Sequence, residues 1–294
     1  MNILKHLNET ELTKLCNNIN MPVEATNEVL SLLSTYDFNQ VQPHFNLLFD
    51  VKAGSEAVEK LNALFCTHEK SKFLWLATSL SAALCTQEKY HAMGISDEIF
   101  YDTMGCFSRF VKEHKESYGE YGYDRQFWSY RQLSQTLYRI GTLEFELITR
   151  NDALELDGKV ILNKGDNVLS IHIPSDGKIN TENCHESYKM AIAFFKKYYP
   201  DFDYNYFWCQ TWLLSPHLKE VLPAHSNILQ FQSDFTTCNT VESDSYKLWV
   251  FKDSNLAVED FPEDTSLQRN IKKHIQNGGK IGEAECVIPK SKFK

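Results

Sequence analysis

Residues 167–202 read NVLSIHIPSDGKINTENCHESYKMAIAFFKKYYPDF, and residues 206–235 read YFWCQTWLLSPHLKEVLPAHSNILQFQSDF. The first stretch predicts a strand, a short loop with one glycine and then a helix; the second begins with a strand, residues 206–214, that is apolar on both faces. The first amides of a helix have no acceptor inside the helix, so a strand that opens through such a loop into a helix can hold a phosphorylated cofactor.

Upstream of this stretch, the first ~140 residues predict one helix after another. Apolar residues recur at helical spacing, and capping residues mark helix starts at Asn8, followed by Glu11, and at Ser96. The aromatic residues at this spacing are typical of a helical core.

The periodicity changes near Arg139. Leu143, Phe145 and Leu147 alternate with Glu144 and Glu146, which predicts a half-exposed strand with the glutamates outside. A hairpin follows, with Asp157-Gly158 as its type I′ turn, and then the strand at 167–172, so we expect an antiparallel meander.

After the meander, the pattern predicts a helix that Thr181 begins and Pro200 ends. Alternation over residues 229–235 and the apolar run YKLWVF predict two further strands. Thr265 and Gln268 form a capping box for a late helix, and a last strand lies around residues 283–288. We therefore predict an α+β protein with an all-helical domain at residues 1–139 and a mixed, mainly antiparallel sheet flanked by helices at 140–294.

Composition excludes some classes of protein. With 39 acidic and 30 basic residues among 294, the formal charge is −9, which opposes binding to nucleic acid phosphates.

Eight cysteines lie far apart with no zinc-type spacing, so we expect reduced, mostly buried thiols and no metal site. The sequence shows neither a secretory signal nor an apolar run that would span a bilayer, so we expect a cytoplasmic protein that does not bind membranes. The oligomeric state is not predicted.

Several motifs resemble those of a group of bacterial acyltransferase-domain proteins that carry a helical N-acyltransferase N-terminal domain and a GNAT-like C-terminal domain. The likeness covers nearly the whole chain. It is carried by residues 96–128 ending in YGEYGYDRQFW, YRIGTLEFEL, IHIPSDGKI, CHESYKMAIAFF, WLLSPHL and the run LP-x-x-SNILQFQSDF.

The resemblance implies acyl-CoA, either acetyl-CoA or a longer ester, as co-substrate, and a small-molecule or peptide amine as acceptor. It implies that residues 169–173 splay from residues 206–214 and that residues 174–180 form a pyrophosphate loop. The candidate cofactor-binding residues are Ile173, Ser175, Gly177, Lys178, Ile179 and Thr181. This loop departs from the family pattern, because it has a single glycine and an acidic Asp176.

Three residues are candidates for catalysis. His172 shares a strand face with Val168 and Ser170 and could be a general base, or a hydrogen-bonded structural histidine. Cys209 on the central strand could be a nucleophile, or a small packed side chain. His217 lies at a helix start, where it could line the cleft or the surface.

Three functions remain open from the sequence. The first is N-acyl transfer from acyl-CoA to an amine by direct attack, with His172 as base. The second is a GNAT-like ligand-binding or regulatory module without catalysis, which the acidic, glycine-poor loop favours. The third is hydrolysis by Cys209 with His172 or His217.

Overall fold

A computed structural model of the chain describes residues 1–156 and 158–293, with residues 237 and 238 described by their backbone alone. The chain divides into two compact units, Met1–Ile140 and Gly141–Lys294. Among the described residues, no helix has both the length and the hydropathy needed to cross a membrane.

The first unit is helical, as predicted, and its last element is strand β1. Short 3₁₀ turns lie at Ile3–Lys5, Phe38–Val41 and Asn46–Phe49. The α-helices and the strand of this unit are α1 (Glu9–Asn18), α2 (Val23–Leu32), α3 (Gln42–Phe45), α4 (Gly54–Phe65), α5 (Ser71–Met93), α6 (Asp97–Tyr118), α7 (Gln126–Leu133) and β1 (Leu137–Ile140).

Helix α5 is the centre of this unit. Every residue from Leu74 to Thr86 is buried, and α5 contacts α1, α2, α4, α6 and α7. A helix that is buried all round has no polar face, which explains its lack of amphipathic periodicity. The predicted caps are present: the side chain of Asn8 accepts a hydrogen bond from the Glu11 amide, 2.9 Å, and the Ser96 hydroxyl caps α6.

The second unit contains the remaining strands and helices. Its 3₁₀ turns are Trp212–Leu214, Val258–Asp260 and Lys290–Phe293, and Lys247–Phe251 forms a π-helical turn. The strands and α-helices of this unit are β2 (Leu143–Thr149), β3 (Leu154–Leu156), β4 (Lys159–Leu162), β5 (Asn167–His172), α8 (Thr181–Tyr198), β6 (Tyr206–Thr211), α9 (Leu218–Val221), α10 (Asn227–Gln232), β7 (Thr237–Val241), α11 (Ser266–Gln276) and β8 (Glu283–Pro289).

The strands of this unit form a mixed sheet in the order β2-β5-β6-β8-β7, in which β5 and β6 are parallel and the other neighbours antiparallel. Helix α8 packs on one face, where the rings of Tyr188 and Phe207 are 5.4 Å apart. On the other face, Leu154, Leu156 and Leu162 of the β3–β4 hairpin pack against Val168 and Val287. The α+β class is therefore confirmed.

Several sequence expectations were wrong. The hairpin β3–β4 forms its own two-stranded sheet, so the meander is interrupted; Asp157 of its predicted turn lies outside the described residues. Residues predicted as strands are helix α10 and the π-helical turn at Lys247–Phe251. Segments of five or six residues are too short for periodicity to separate helix from strand.

Two further differences concern cysteine and glutamate side chains. Cys286 on β8 is disulfide-bonded, which contradicts the expectation of reduced thiols throughout. Glu144 and Glu146 are buried, although their alternation with apolar residues predicts exposure. Alternation shows that two faces differ, but it does not show that the polar face meets water.

Helix α8 begins at Thr181, as the sequence predicts. Its capping residue is Asn180, whose side-chain oxygen accepts a hydrogen bond from the Asn183 amide, 2.9 Å. Thr181 is the first helical residue, and its hydroxyl lies 3.3 Å from Oε1 of Gln230 on α10. Asparagine is a strong capping residue because its short side chain satisfies an amide that the helix leaves without an acceptor.

We expect Asn180→Ala to lower the free energy of unfolding by about 1 kcal/mol, the usual cost of losing a cap. Thr181→Ala should cost less, because the cap bond survives. Urea denaturation of both variants, followed by far-ultraviolet circular dichroism, measures the difference. A larger loss in Thr181→Ala would contradict this assignment of the cap.

Candidate functional site

The strands β5 and β6 are paired over only two residues. Leu169 lies opposite Phe207 and Ser170 opposite Trp208, whereas β5 stays paired with β2 up to His172 and β6 stays paired with β8 up to Thr211. Both strands therefore continue beyond the point where they separate. The sheet opens between them toward their carboxyl ends, where an extended ligand could enter between the two backbones.

The two faces of this opening differ in chemistry. On the face toward α8, Leu169, Ile171, Phe207 and Cys209 are buried. Side chains alternate along a strand, so the opposite face carries Ser170 and His172 from β5 and Trp208 and Gln210 from β6. The polar face is the one on which general acid or base chemistry could occur.

His172 is held by a buried carboxylate. Its Nε2 lies 2.8 Å from Oε2 of Glu146 on the neighbouring strand β2. The side chain of Glu146 is 8% exposed and that of His172 is 21% exposed. A carboxylate accepts a hydrogen bond and so fixes the proton of the neutral ring on Nε2, orienting the imidazole. The sequence pattern points to His172 but not to Glu146, because the alternation of Glu146 with apolar residues predicts an exposed side chain.

Cys209 spans the opening from the side of α8. Its thiol donates a hydrogen bond to the carbonyl of Ile171, 3.3 Å, and the residue is fully buried. Burial raises the pKa of the Cys209 thiol well above its ordinary value, because a thiolate there would lose its hydration. The geometry favours the packing interpretation over the nucleophile.

The loop after β5 folds through short-range hydrogen bonds of its own backbone. The Gly177 amide donates to the Pro174 carbonyl, 2.9 Å, and the Asn180 amide donates to the Lys178 carbonyl, 3.0 Å. The Lys178 carbonyl also accepts from the Thr142 hydroxyl, 3.3 Å, and the Asn183 side-chain amide, 3.2 Å. These contacts tie the loop to both β2 and α8.

Gly177 is required by the chain's own backbone. A Cβ atom at this position would lie 2.8 Å from the Thr142 carbonyl oxygen and 3.0 Å from that of Pro174. Real Cβ atoms do not approach backbone oxygens at the shorter distance, so a larger residue would displace the loop. The tight turn therefore explains why residue 177 is a glycine, and no ligand is needed to account for it.

Four amides at the end of this loop could bind an anion. Among the described residues, the amides of Lys178, Ile179, Thr181 and Glu182 make no backbone hydrogen bond. Two of them belong to the first turn of α8, where the helix dipole adds a positive potential. Ser175, Lys178 and Thr181 are exposed, and Ile173, Gly177 and Ile179 are half-buried.

The charged side chains around these amides have opposite effects on a bound phosphate. Lys178 adds a cation, whereas Asp176 and Glu182 are exposed carboxylates on the same loop and first helical turn. Any phosphate bound here would therefore depend mainly on backbone amides, with the two acids reducing its affinity.

His217 lies at a different place. It is next to α9, its Nδ1 is 3.6 Å from Oε1 of Glu220, and it lines a cavity with residues of β7 and of the β7–β8 connection. None of the other predicted site residues lines that cavity. The structure therefore brings His172 and Cys209 onto adjacent strands, on opposite faces, and leaves His217 apart.

A network of Arg150, Glu285 and Trp208 lies beside the opening, and the sequence pattern did not predict it. Buried Arg150 contacts Glu285 of β8, 2.7 Å, and its guanidinium carbon lies 4.9 Å from the centre of the Trp208 ring. The Trp208 indole donates to the same Glu285 carboxylate, 2.6 Å. Because Trp208 occupies the last paired position before the opening, this network fixes the wall of the gap. The partners are far apart in sequence, so no local motif predicts them.

Metal ions in proteins are commonly held by sets of His, Cys, Asp and Glu side chains. Across residues 1–156 and 158–293, no group of three or more His, Cys, Asp and Glu side chains is arranged to hold an ion.

The chain is similar to known protein families over almost its whole length. Residues 137–288 match the GNAT-like C-terminal domain, and residues 10–135 match the N-acyltransferase N-terminal domain. No curated protein sequence matches the chain.

Solved acyltransferase structures share this architecture. A complex with decanoyl-CoA and teicoplanin has 21% identity and a TM-score of 0.79. An acyltransferase mutant in complex with octanoyl-CoA has 20% identity and a TM-score of 0.79, and a complex with CoA and 10C-teicoplanin has 20% identity and a TM-score of 0.78. Each covers 95% of this chain, and 87–88% of the solved chain is covered.

These structural likenesses establish a shared fold, and the family matches extend the relationship to the sequence itself. Because the GNAT-like match alone spans more than half of the 294 residues, the chain belongs to the family of proteins that combine an N-acyltransferase N-terminal domain with a GNAT-like C-terminal domain.

Proposed function

We propose that this protein is an N-acyltransferase that moves an acyl group from acyl-CoA to an amine. The observation that carries the proposal is the opening between β5 and β6, which leads through one short loop to the four amides around the start of α8 that make no backbone hydrogen bond within the described chain. This arrangement fits a thioester lying in the gap and a pyrophosphate at the helix N-terminus.

The relatives of similar fold support acyl-CoA as the donor. Their complexes contain decanoyl-CoA, octanoyl-CoA and CoA, and two of them also contain teicoplanin or 10C-teicoplanin. By analogy, we propose acetyl-CoA or a longer acyl-CoA as co-substrate and a small-molecule or peptide amine as acceptor. A shared fold does not fix the acceptor, since specificity resides in the site.

In the proposed reaction the amine nitrogen attacks the thioester carbonyl carbon. The new C–N bond forms, the C–S bond breaks, the amine loses one proton and the departing CoA thiolate gains one. His172 accepts the amine proton, directly or through water, and Glu146 orients the ring and stabilises its charged form. Backbone amides of the splayed strands polarise the carbonyl, and positioning supplies most of the rate.

A ligand-binding or regulatory module without catalysis is the second candidate. It is favoured by the loop, which has one glycine and two exposed carboxylates, Asp176 and Glu182. Both functions require CoA to bind, and only the first requires an acylated product. Calorimetry with CoA and mass spectrometry of an amine panel therefore test the proposal and separate the two candidates.

Removing the Glu182 charge should strengthen CoA binding. We expect Glu182→Gln to lower the dissociation constant about two- to fivefold at low salt, because one exposed repulsion with the phosphates is lost. Glu186→Gln, which is one turn further along α8, should change it less. Titration calorimetry in low and high salt measures both. Well-folded protein that takes up neither CoA nor acetyl-CoA would overturn the proposal.

Replacement of the proposed base, His172, should slow the formation of acylated product without preventing CoA from binding. We expect His172→Asn to lower kcat about a hundredfold or more and Glu146→Gln about tenfold, since the second change disturbs only ring orientation and charge. The exposed His225 is the matched control, and His225→Asn should leave the rate unchanged. Unchanged rates in both site variants would exclude His172 as the base.

Replacement of Cys209 should affect the rate of acyl transfer much less than replacement of His172. Because its thiol is buried and its pKa is raised, we expect Cys209→Ala to retain acyl transfer within about threefold of the unchanged protein. Cys184→Ala controls for the loss of a buried thiol in the same unit. Complete loss of turnover in Cys209→Ala alone, with CoA still bound, would favour the nucleophile.

A further inference from the structure

A separate cavity of about 560 Å³ lies where β7 ends and β8 begins. Strand β7 is parallel to β5, and the two are three strand positions apart in the sheet. At about 4.8 Å per strand, the cavity is on the order of 14 Å from the carboxyl end of β5. None of the proposed catalytic or cofactor-binding residues other than His217 lines it.

The cavity has an apolar floor. Its lining includes Val241 of β7, Val258, Ile275 of α11 and Ile281. Two of the lining residues, Tyr246 and Ile281, belong to a buried apolar cluster that also contains Ile271. The apolar part of the lining is therefore continuous with a packed core. A cavity of this volume on a packed apolar base has the dimensions of a small-molecule site.

Two lysine–carboxylate pairs stand on the cavity wall. Lys247 Nζ lies 2.8 Å from Asp244 Oδ2, and Lys280 pairs with Glu242. The lysine of the first pair is largely covered, with 18% of its side chain exposed, whereas Asp244 is 70% exposed. The Lys280–Glu242 pair is exposed on both sides, and exposed ion pairs contribute little stability. A ligand can therefore offer Lys280 and Glu242 new partners at low cost.

Tyr246 adds a hydroxyl group to the cavity lining. The residue is 3% exposed and lines the cavity. Burial, followed by the Asp244 charge, raises the pKa of the Tyr246 hydroxyl to about 12. The hydroxyl thus stays protonated at neutral pH and can donate to an anionic group.

The wall is also held in place from the sheet. The Ser245 hydroxyl donates to one oxygen of Glu283 on β8, 2.9 Å, and the Gln210 side chain of β6 donates to the other, 2.6 Å. The segment that carries Asp244, Tyr246 and Lys247 is therefore fixed to two strands. A preformed wall reduces the ordering cost of binding.

We propose that this cavity is a second ligand site that binds a zwitterionic amino acid with an apolar side chain. The carboxylate would meet Lys247 and the Tyr246 hydroxyl, the ammonium would meet Asp244 and Glu242, and the side chain would lie on Val258 and Ile275. Equal numbers of lysines and acids suit a ligand with one charge of each sign. An anion or a cation alone would leave one set of charges without a partner.

The test uses the full chain and three matched probes in titration calorimetry at neutral pH. L-phenylalanine carries both charges, phenylalanine amide only the positive one and 3-phenylpropionate only the negative one; L-leucine tests the apolar pocket. We expect both amino acids to bind and each single-charge probe to bind about tenfold more weakly or worse. Equal binding of all the phenylalanine probes, or no heat from either amino acid, would overturn the proposal.

Variants locate the site. Lys247→Gln and Asp244→Asn should each weaken L-phenylalanine binding about tenfold, and Tyr246→Phe, which removes only the hydroxyl, should weaken it several-fold. Lys273→Gln, on α11 outside the cavity lining, is the control and should bind normally. Circular dichroism confirms that each variant is folded. Undiminished binding in both Lys247→Gln and Asp244→Asn would contradict this location, whatever the outcome of the CoA experiments.

Discussion

The separation of β5 from β6 is the constraint on which the second unit depends. Each strand is fully paired on its outer side, β5 with β2 and β6 with β8, while the two share only two paired positions. The ladders with β2 and β8 hold each strand on its outer side, and the inner edges of β5 and β6 face each other across the opening.

The gap leaves backbone groups without ladder partners, and the chain satisfies some of them by other means. The Cys209 thiol meets the Ile171 carbonyl from the side of α8. Below the gap, the Arg150–Glu285 pair fixes the Trp208 ring. An unpaired buried carbonyl or a mobile indole at this point would cost stability, so both contacts are consistent with a preformed cleft.

Charge is distributed unevenly over this acidic chain. The net charge of −9 coexists with helix amides that attract anions, with a buried Glu146 that pairs with His172, and with a balanced set of lysines and carboxylates around the cavity near β7. Net charge governs long-range attraction of partners, whereas a local site depends on the few groups within a Debye length. An acidic protein can thus present an anion site.

Much of the fold was readable from the sequence because it depends on local chemistry. Helical spacing with caps at Asn8 and Ser96 identified the first unit, alternation placed β2 and β5, and the Thr265–Gln268 capping box marked α11. His172 was selected because a strand with period two puts it opposite the apolar face. Side-chain periodicity and capping act over a few residues, so a single chain carries their signal.

Tertiary structure decided the rest. Whether Glu146 meets water or an imidazole depends on which strand pairs with β2, and whether Cys209 is reactive depends on its burial under α8. Residues 247–251 form a π-helical turn instead of a strand, and two of them, Val250 and Phe251, pack into the cluster with Phe261 and Ile271. Burial and long-range pairing are set by contacts between distant segments, so local sequence patterns predicted most of the helices and strands, whereas the chemistry of His172 and Cys209 depends on how those elements assemble.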